Sequence, residues 1–305
     1  MIIAAGTSRL VVFSGHHLPT VGAERNSLLR NLMLGGLGGD GSQSNKVVVV
    51  ERNQHARLVT FHFYQVLLRS GELFDHMECS NASAAAGLFA LLNGLVHLEK
   101  QCRWLRAQNA ATGQKITLRV PAKPEDPGSP WGVRFRLPAR INESFQAFRD
   151  QHQMTLNCGL EVNYHLVQHG NLFVFCNLCP SAVTTEVSLE IARLASEKAV
   201  CIQRAKPPFL PKVIPYQQVD GANVRASSFF EGERHASMPG SAAMALCLFL
   251  RLCLNAAAHQ YQVHFCPNRE AMTVRLGFEN DLPRFSQFFT PARLLLDGNA
   301  HIFPT

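Results

Sequence analysis

The chain has 305 residues, 47% of them hydrophobic and 17% charged, with a formal net charge of +7. Its 29 Lys and Arg are scattered, with no basic run interleaved with aromatics, which argues against a nucleic-acid partner. No apolar run reaches the length of a membrane span, because Ser241 to Leu254 is too short and is broken by Arg251. A soluble protein able to bury two cores of ordinary size is expected.

The nine cysteines (79, 102, 158, 176, 179, 201, 247, 253 and 266) follow no framework spacing, and no charged-then-apolar leader precedes the first strand. Reduced thiols and a cytoplasmic location are the corresponding expectation. The basic balance also suits a small anionic substrate.

Met1 to Ala5 and Leu10 to Phe13 read as short strands around the turn Gly6-Thr7-Ser8-Arg9, which carries two hydroxyls. Glu24 to Leu34 has helical spacing. Gly35 to Lys46 holds five glycines and runs into Val47 to Val50, a buried strand with Lys46 at its mouth. This loop-then-strand order differs from the strand-loop-helix of a nucleotide fingerprint, so neither a Walker nor a Rossmann loop is expected. Val59 to Leu68 is a further strand, after which Cys79-Ser80-Asn81-Ala82-Ser83-Ala84-Ala85 opens an apolar helix.

Lys115 to Val120 reads as a strand, and Ala122 to Pro130, rich in Pro and Gly, as a loop. Leu160 to Val167 and Leu172 to Cys176 form a strand pair around the turn signal Gly170-Asn171. Ser188 to Ala199 is helical, and Lys206 to Pro215 is proline-punctuated and extended. Strands return at Val224 to Phe230, Tyr261 to Phe265 and Met272 to Phe278, and Phe289 to Phe303 closes the chain.

An offset of 160 residues superposes Ala82 on Ala242, Ala85 on Ala245, Leu88 on Leu248, Phe89 on Phe249 and Leu92 on Leu252. These positions share one helical face, so both helices are expected to be buried. Their first turns would present free N–H groups to a cleft, and two such ends facing each other would make an anion site. Pro239 stands in the second copy where Cys79 stands in the first. The chain therefore reads as α+β with two similar domains, each of antiparallel strands wrapped around a central helix. The first would span 1–150, with 288–305 returning to it, and the second 151–287.

Several motifs, in order, carry a family resemblance. They are Gly6-Thr7-Ser8, the Gly38-to-Lys46 loop running into Val47, Phe63-Tyr64-Gln65-Val66, Glu78-Cys79-Ser80-Asn81, Pro215-Tyr216, His235 to Ala242, and Phe289-Thr290-Pro291-Ala292-Arg293 with Pro304. Together they resemble the methylaconitate isomerase family (PrpF-like), of the diaminopimelate-epimerase fold. The resemblance implies an active site in a cleft between two domains. It also implies movement of an allylic proton in an unsaturated di- or tricarboxylic acid, with no cofactor and no metal. The chain departs from the family pattern at Ala4, Arg9, Ser80 and Leu172, and it is shorter around Ala122 to Leu156.

Such a proton shift needs a base for an activated C–H, donors for the dienolate and an acid for the other carbon. Lys46 and Cys79 are the candidates. A helix start favours the thiolate form of a cysteine, and a desolvated lysine can act as a base. The resemblance implies that the two face each other across the substrate. Thr7 and Ser8 offer hydroxyls, and Ser80 and Asn81 offer backbone N–H and an amide. Gly240 and Ser241 repeat that device, with Gln65 and Arg293 as further substrate-binding candidates. His235 is either an orienting group or a hydrogen-bonded loop histidine. Cys176-Asn177-Leu178-Cys179 looks like half a zinc site but lacks a partner pair, and His16-His17 reads as surface. The expected partner is a small anionic carboxylate substrate, with no nucleic acid and no membrane, and a homodimer is left open. Two alternatives stand beside the isomerase: a two-base racemase or epimerase of the same fold, and a repurposed member that binds a small acid or acts on an unusual substrate in a specialised biosynthetic pathway.

Overall fold

The computed structural model describes residues 1–39, 43–52, 58–67, 70–98, 103–124, 126, 129–138, 150–203, 210–266, 268 and 270–298. Positions 40–42 of the glycine-rich loop, Cys102 and Pro304 lie outside them. The chain divides into two compact units, Met1–Arg134 with Phe289–Thr305, and Phe135–Phe288. The first cut falls inside a strand, Pro130–Arg136.

In the first unit, β1 (Ile2–Ala5) and β2 (Ser8–Ser14) form an antiparallel hairpin with Ala5 opposite Ser8. The turn needs Gly6, whose φ is +53°. Helix α1 (Ala23–Leu32) then returns the chain so that β3 (Lys46–Glu51) lies parallel to β2, Leu10 opposite Lys46. Next come β4 (Leu58–Val66), antiparallel to β3, and the short β5 (Leu73–Phe74). Helix α2 (Ser80–Leu92) is a second crossover, after which β6 (Trp104–Asn109) pairs parallel with β4. β7 (Lys115–Arg119) is antiparallel to β6, and β8 (Pro130–Arg136) follows.

The second unit repeats this order. After β9 (His152–Thr155), β10 (Glu161–His169) and β11 (Asn171–Cys176) make the hairpin, turned at Gly170 with φ +69°. Helix α3 (Thr185–Gln203) leads to β12 (Lys212–Gln218), parallel to β11 with Phe173 opposite Lys212. Strands β13 (Asn223–Ala226), β14 (Phe229–Phe230) and β15 (Glu233–Arg234) precede α4 (Gly240–Cys253). Then β16 (Gln260–Phe265) lies parallel to β13, and β17 (Ala271–Glu279) is antiparallel to β16. The long β18 (Leu282–Leu296) pairs with β17 through Gln287 and with β1 from Ala292 onward.

The architecture is α+β, but two details depart from the sequence reading. The strands are not uniformly antiparallel, because among the described residues each unit contains two parallel pairs, and each parallel pair needs a crossover that a helix supplies. Each unit therefore has a crossover helix besides its buried one. The expected strand Val224 to Phe230 is also broken at Ser227 and Ser228, both fully buried, where Ser227 Oγ donates to Cys266 O at 2.9 Å.

The run Val47 to Val50 is buried on both faces of β3, which explains its unbroken apolar character. Val47 and Val49 pack with Leu29 and Met33 of the α1 segment and with Tyr64. Each such side chain contributes roughly 1.5–3 kcal/mol through burial. Helix α2 is buried from Ser80 to Ala90, which Ala, Ser and Gly make sterically feasible because strands approach it on several sides. Leu92, expected on the buried stripe, is 43% exposed because the helix ends there.

Candidate active site

In the first unit the topology gathers four polar side chains from four elements. Ser8 opens β2 and Lys46 opens β3, and the parallel register sets Lys46 beside Leu10, two residues after Ser8 and on the same face. Lys46 Nζ donates to Ser8 Oγ at 2.8 Å. Asn81, in the first turn of α2, donates through Nδ2 to the same Ser8 Oγ at 3.3 Å. Thr290, on β18, donates from Oγ1 to Asn81 Oδ1 at 3.2 Å. All four are at most 8% exposed. A buried amine needs hydrogen-bond partners, and Ser8 supplies one.

The β1–β2 turn closes over this chain of bonds. Gly6 N donates to Pro291 O at 2.8 Å, tying the turn to β18. A Cβ at Gly6 would stand 2.6 Å from Thr290 Oγ1 and 2.7 Å from Asn81 Oδ1. Thr7, beside it, is half-buried.

Gln65, the cross-strand neighbour of Lys46, donates through Nε2 to Asn45 O at 3.0 Å and Val66 O at 3.3 Å. It thereby braces the start of β3. Asn45 in turn clasps the glycine loop, accepting from Gly39 N at 3.0 Å and donating to Gly39 O at 2.7 Å. Lys46 is thus presented from a backbone held on both sides.

Cys79 is the N-cap of α2, half-buried and extended at φ −134°, and its carbonyl accepts from Ser83 N at 3.3 Å. Ser80, the first helical residue, is buried. The N–H groups of this first turn lie ahead of the helical ladder and are available to an anion. Glu78, 1% exposed, anchors the approach to the helix. It accepts from Asn109 Nδ2 at 3.2 Å and from Thr112 Oγ1, while Asn109 Nδ2 also donates to Met77 O at 3.1 Å. Burial pushes the Glu78 carboxyl up to about 7, against the opposing pull of the Thr112 and Asn109 bonds.

The remaining candidates lie elsewhere. Arg293 pairs with Ala4 but is exposed, on the face of β18 opposite the buried Ala292. Gly240 and Ser241 open α4 in the second unit, where Gly240 sits under the Phe288 ring with no room for a Cβ. His235 is buried and its N–H donates to Ser228 O at 2.9 Å. Cys176 and Cys179 have unlike surroundings. Burial pushes the Cys176 thiol up to about 12, whereas Cys179 is exposed and hydrogen-bonded to Ser181 at 3.1 Å. His16 is exposed beside Ser14. A pocket of about 430 Å³ in the second unit, lined by Tyr216, Arg225 and Asn177 among others, contains none of the expected residues. Among the described residues no helix is long and apolar enough to cross a membrane, and no group of three His, Cys, Asp or Glu could hold a metal ion.

Two residues of this neighbourhood were not singled out from sequence, Thr290 and Glu78. Both belonged to quoted motifs, and the signal that identifies them is their partner, which the linear sequence does not display. The second unit also places Lys212, 8% exposed, at the β12 position matching Lys46 in β3, with Nζ 5.3 Å from the Phe230 ring centre.

Residues 1–126 match the family model described as PrpF protein, and this part of the chain is PrpF-like. YbhH of Escherichia coli (strain K12), a protein named as an isomerase, is 27% identical over 128 residues, 39% of this chain and 37% of that protein. YraM of Bacillus subtilis (strain 168), named in the same way, is 29% identical over 127 residues, 39% of this chain and 35% of that protein. The chain thus matches little more than a third of the length of these curated relatives. Similarity to solved structures extends much further. The crystal structure of a methylitaconate-delta-isomerase aligns with TM-score 0.69 and 15% identity over 100% of this chain and 98% of that one. A hydroxyproline epimerase from Agrobacterium vitis, with bound trans-4-hydroxy-L-proline, aligns with TM-score 0.62 and 13% identity over 97% and 90%. At these identities the fold is what is shared.

Proposed function

We propose that the chain is a cofactor-independent isomerase that moves an allylic proton in a small unsaturated di- or tricarboxylic acid, on a diaminopimelate-epimerase-like scaffold. The observation that carries this reading is the Lys46–Ser8–Asn81 chain of bonds, which joins a buried lysine to the start of the α2 helix just beyond Cys79. A carboxylate needs N–H and O–H donors, and a proton shift needs a base close to them.

In this reading one of Lys46 and Cys79 takes the proton from the activated carbon, and the C–H electron pair moves into a dienolate. The other returns a proton to the far allylic carbon, so the double bond moves by one position and no net proton is gained or lost. Ser8, Thr7 and the first-turn N–H groups at Ser80 and Asn81 hold the carboxylate and the developing oxyanion. Gln65 fixes the backbone behind Lys46, and Arg293 attracts the acid.

Similarity to the hydroxyproline epimerase supports a second reading, a racemase of the same fold. Pro239 in place of a second helix-start cysteine weighs against it. Incubation with methylitaconate in deuterated water tests both. Deuterium at the migrating position, lost in Lys46→Ala, supports the isomerase. Exchange at a stereocentre without double-bond movement supports the racemase. Full activity in both Lys46→Ala and Cys79→Ser overturns the assignment of the two proton-transfer groups.

A further inference from the structure

We infer that Thr290, on the returning strand β18, is a positioning residue for the Lys46 site, setting through Asn81 the direction in which the Ser8 hydroxyl offers its proton to a substrate carboxylate. The inference rests on the proposed carboxylate substrate for its kinetic consequence, but not for the hydrogen-bond arrangement.

A serine hydroxyl has two acceptor positions and one donor. At Ser8 both acceptor positions are taken, by Lys46 Nζ at 2.8 Å and by Asn81 Nδ2 at 3.3 Å. The O–H proton is therefore directed away from both, toward a third group. This holds only while the Asn81 amide keeps its nitrogen toward Ser8. With the amide reversed, Asn81 Oδ1 would accept the Ser8 proton, and the hydroxyl would be lost to a ligand.

Thr290 decides between the two orientations. Its hydroxyl has Asn81 Oδ1 at 3.2 Å and its other acceptor, Pro291 O, at 3.5 Å, the limit of a useful bond. The shorter bond holds the amide oxygen on the Thr290 side. Gly6 seals this contact, since a Cβ there would press on both Thr290 Oγ1 and Asn81 Oδ1. Thr290 and Asn81 are both at most 5% exposed, so water does not readily replace either partner. Thr290 also lies far outside the PrpF-like stretch of residues 1–126.

The test begins with the ligand-free protein. Hydrogen exchange of the Asn81 side-chain NH2, followed by nitrogen-15 NMR, should accelerate at least about tenfold in Thr290→Val and stay within about threefold of the parent in Thr290→Ser. Thr290→Ala, which cannot overpack, serves the same comparison if the valine variant fails to fold. With methylitaconate, Thr290→Val should raise KM by about tenfold or more with a smaller change in kcat, Thr290→Ser should restore it, and Ser8→Ala should abolish the effect of the valine. Unchanged Asn81 exchange in both Thr290→Val and Thr290→Ala, or a serine variant that behaves like the valine, overturns the inference. If the parent protein does not turn over methylitaconate, the exchange measurement still decides the role of Thr290, and only the proposed substrate class fails.

Discussion

Gly6 and Asn81 approach so closely that a single added methyl at Gly6 would lie 2.7 Å from the Asn81 amide oxygen. The turn is closed by residues 75 positions apart, and φ at Gly6 is +53°, where an L side chain is strained even with space around it. Gly6→Ala should therefore destabilise the protein by at least about 1 kcal/mol in urea unfolding. It should also displace Asn81 from Ser8, seen as faster exchange of the Asn81 side-chain amide. An alanine variant of parental stability with unchanged exchange would show that the turn has slack.

Gly87 tests the packing of α2. Replacing a mid-helix glycine by alanine normally gains about 1 kcal/mol in helix propensity. Here a Cβ would sit 2.7 Å from Leu118 Cδ1 and 2.9 Å from Trp131 Cζ3, both in the buried core. Overpacking of this kind costs about 1–3 kcal/mol, so packing wins and Gly87→Ala should lower the melting temperature.

Glu78 gives the protein a pH dependence of definite sign. Its carboxyl is raised from 4.5 to about 7 by burial, so the folded state holds its proton more tightly than the unfolded chain. The stability it contributes is fully present below about pH 4.5 and is lost as pH rises through about 7. At about 1.4 kcal/mol per unit the full span is about 3 kcal/mol. Glu78→Gln keeps the acceptor for Asn109 and Thr112 and should be more stable than the parent at pH 8, with near-equal stability at pH 4.5. Urea unfolding at the two pH values measures this, and parallel losses for both proteins would refute it.

Beneath α1, Arg25 Nη1 lies 2.6 Å from Glu51 Oε1, and Arg25 Nε donates to Pro19 O at 2.6 Å. The arginine side chain is only 4% exposed, so Glu51→Ala would leave a buried guanidinium without its counter-charge. The expected loss is about 3 kcal/mol in chemical denaturation. The double variant Arg25→Met with Glu51→Leu should recover most of it, because an apolar pair leaves no buried charge behind.

Much of the framework was legible in sequence because it is local. The valine run of β3, the hairpin at Gly170-Asn171 and the apolar helices opening at Ser80 and Gly240 each reflect the side-chain period of one element. The likeness in sequence of those two helix starts, 160 residues apart, is likewise a local pattern. Strands Trp104–Asn109, Pro130–Arg136 and His152–Thr155 carry no clear signal in sequence, since charged and polar residues interrupt their short apolar patterns.

Residue types and their spacing determined that Lys46 opens a buried strand, that Cys79, Ser80 and Asn81 open a buried helix, and that two hydroxyls share the first turn. Tertiary structure alone decided which of these meet. The parallel register of β2 and β3 brings Lys46 to Ser8, and the return of β18 brings Thr290 to Asn81 across 209 positions. It also turned Arg293 outward and Gln65 onto the backbone. Periodicity reports which face of an element is buried, whereas a hydrogen-bond partner is set by register between elements distant in sequence, and a shift of one residue would point each side chain to the other face.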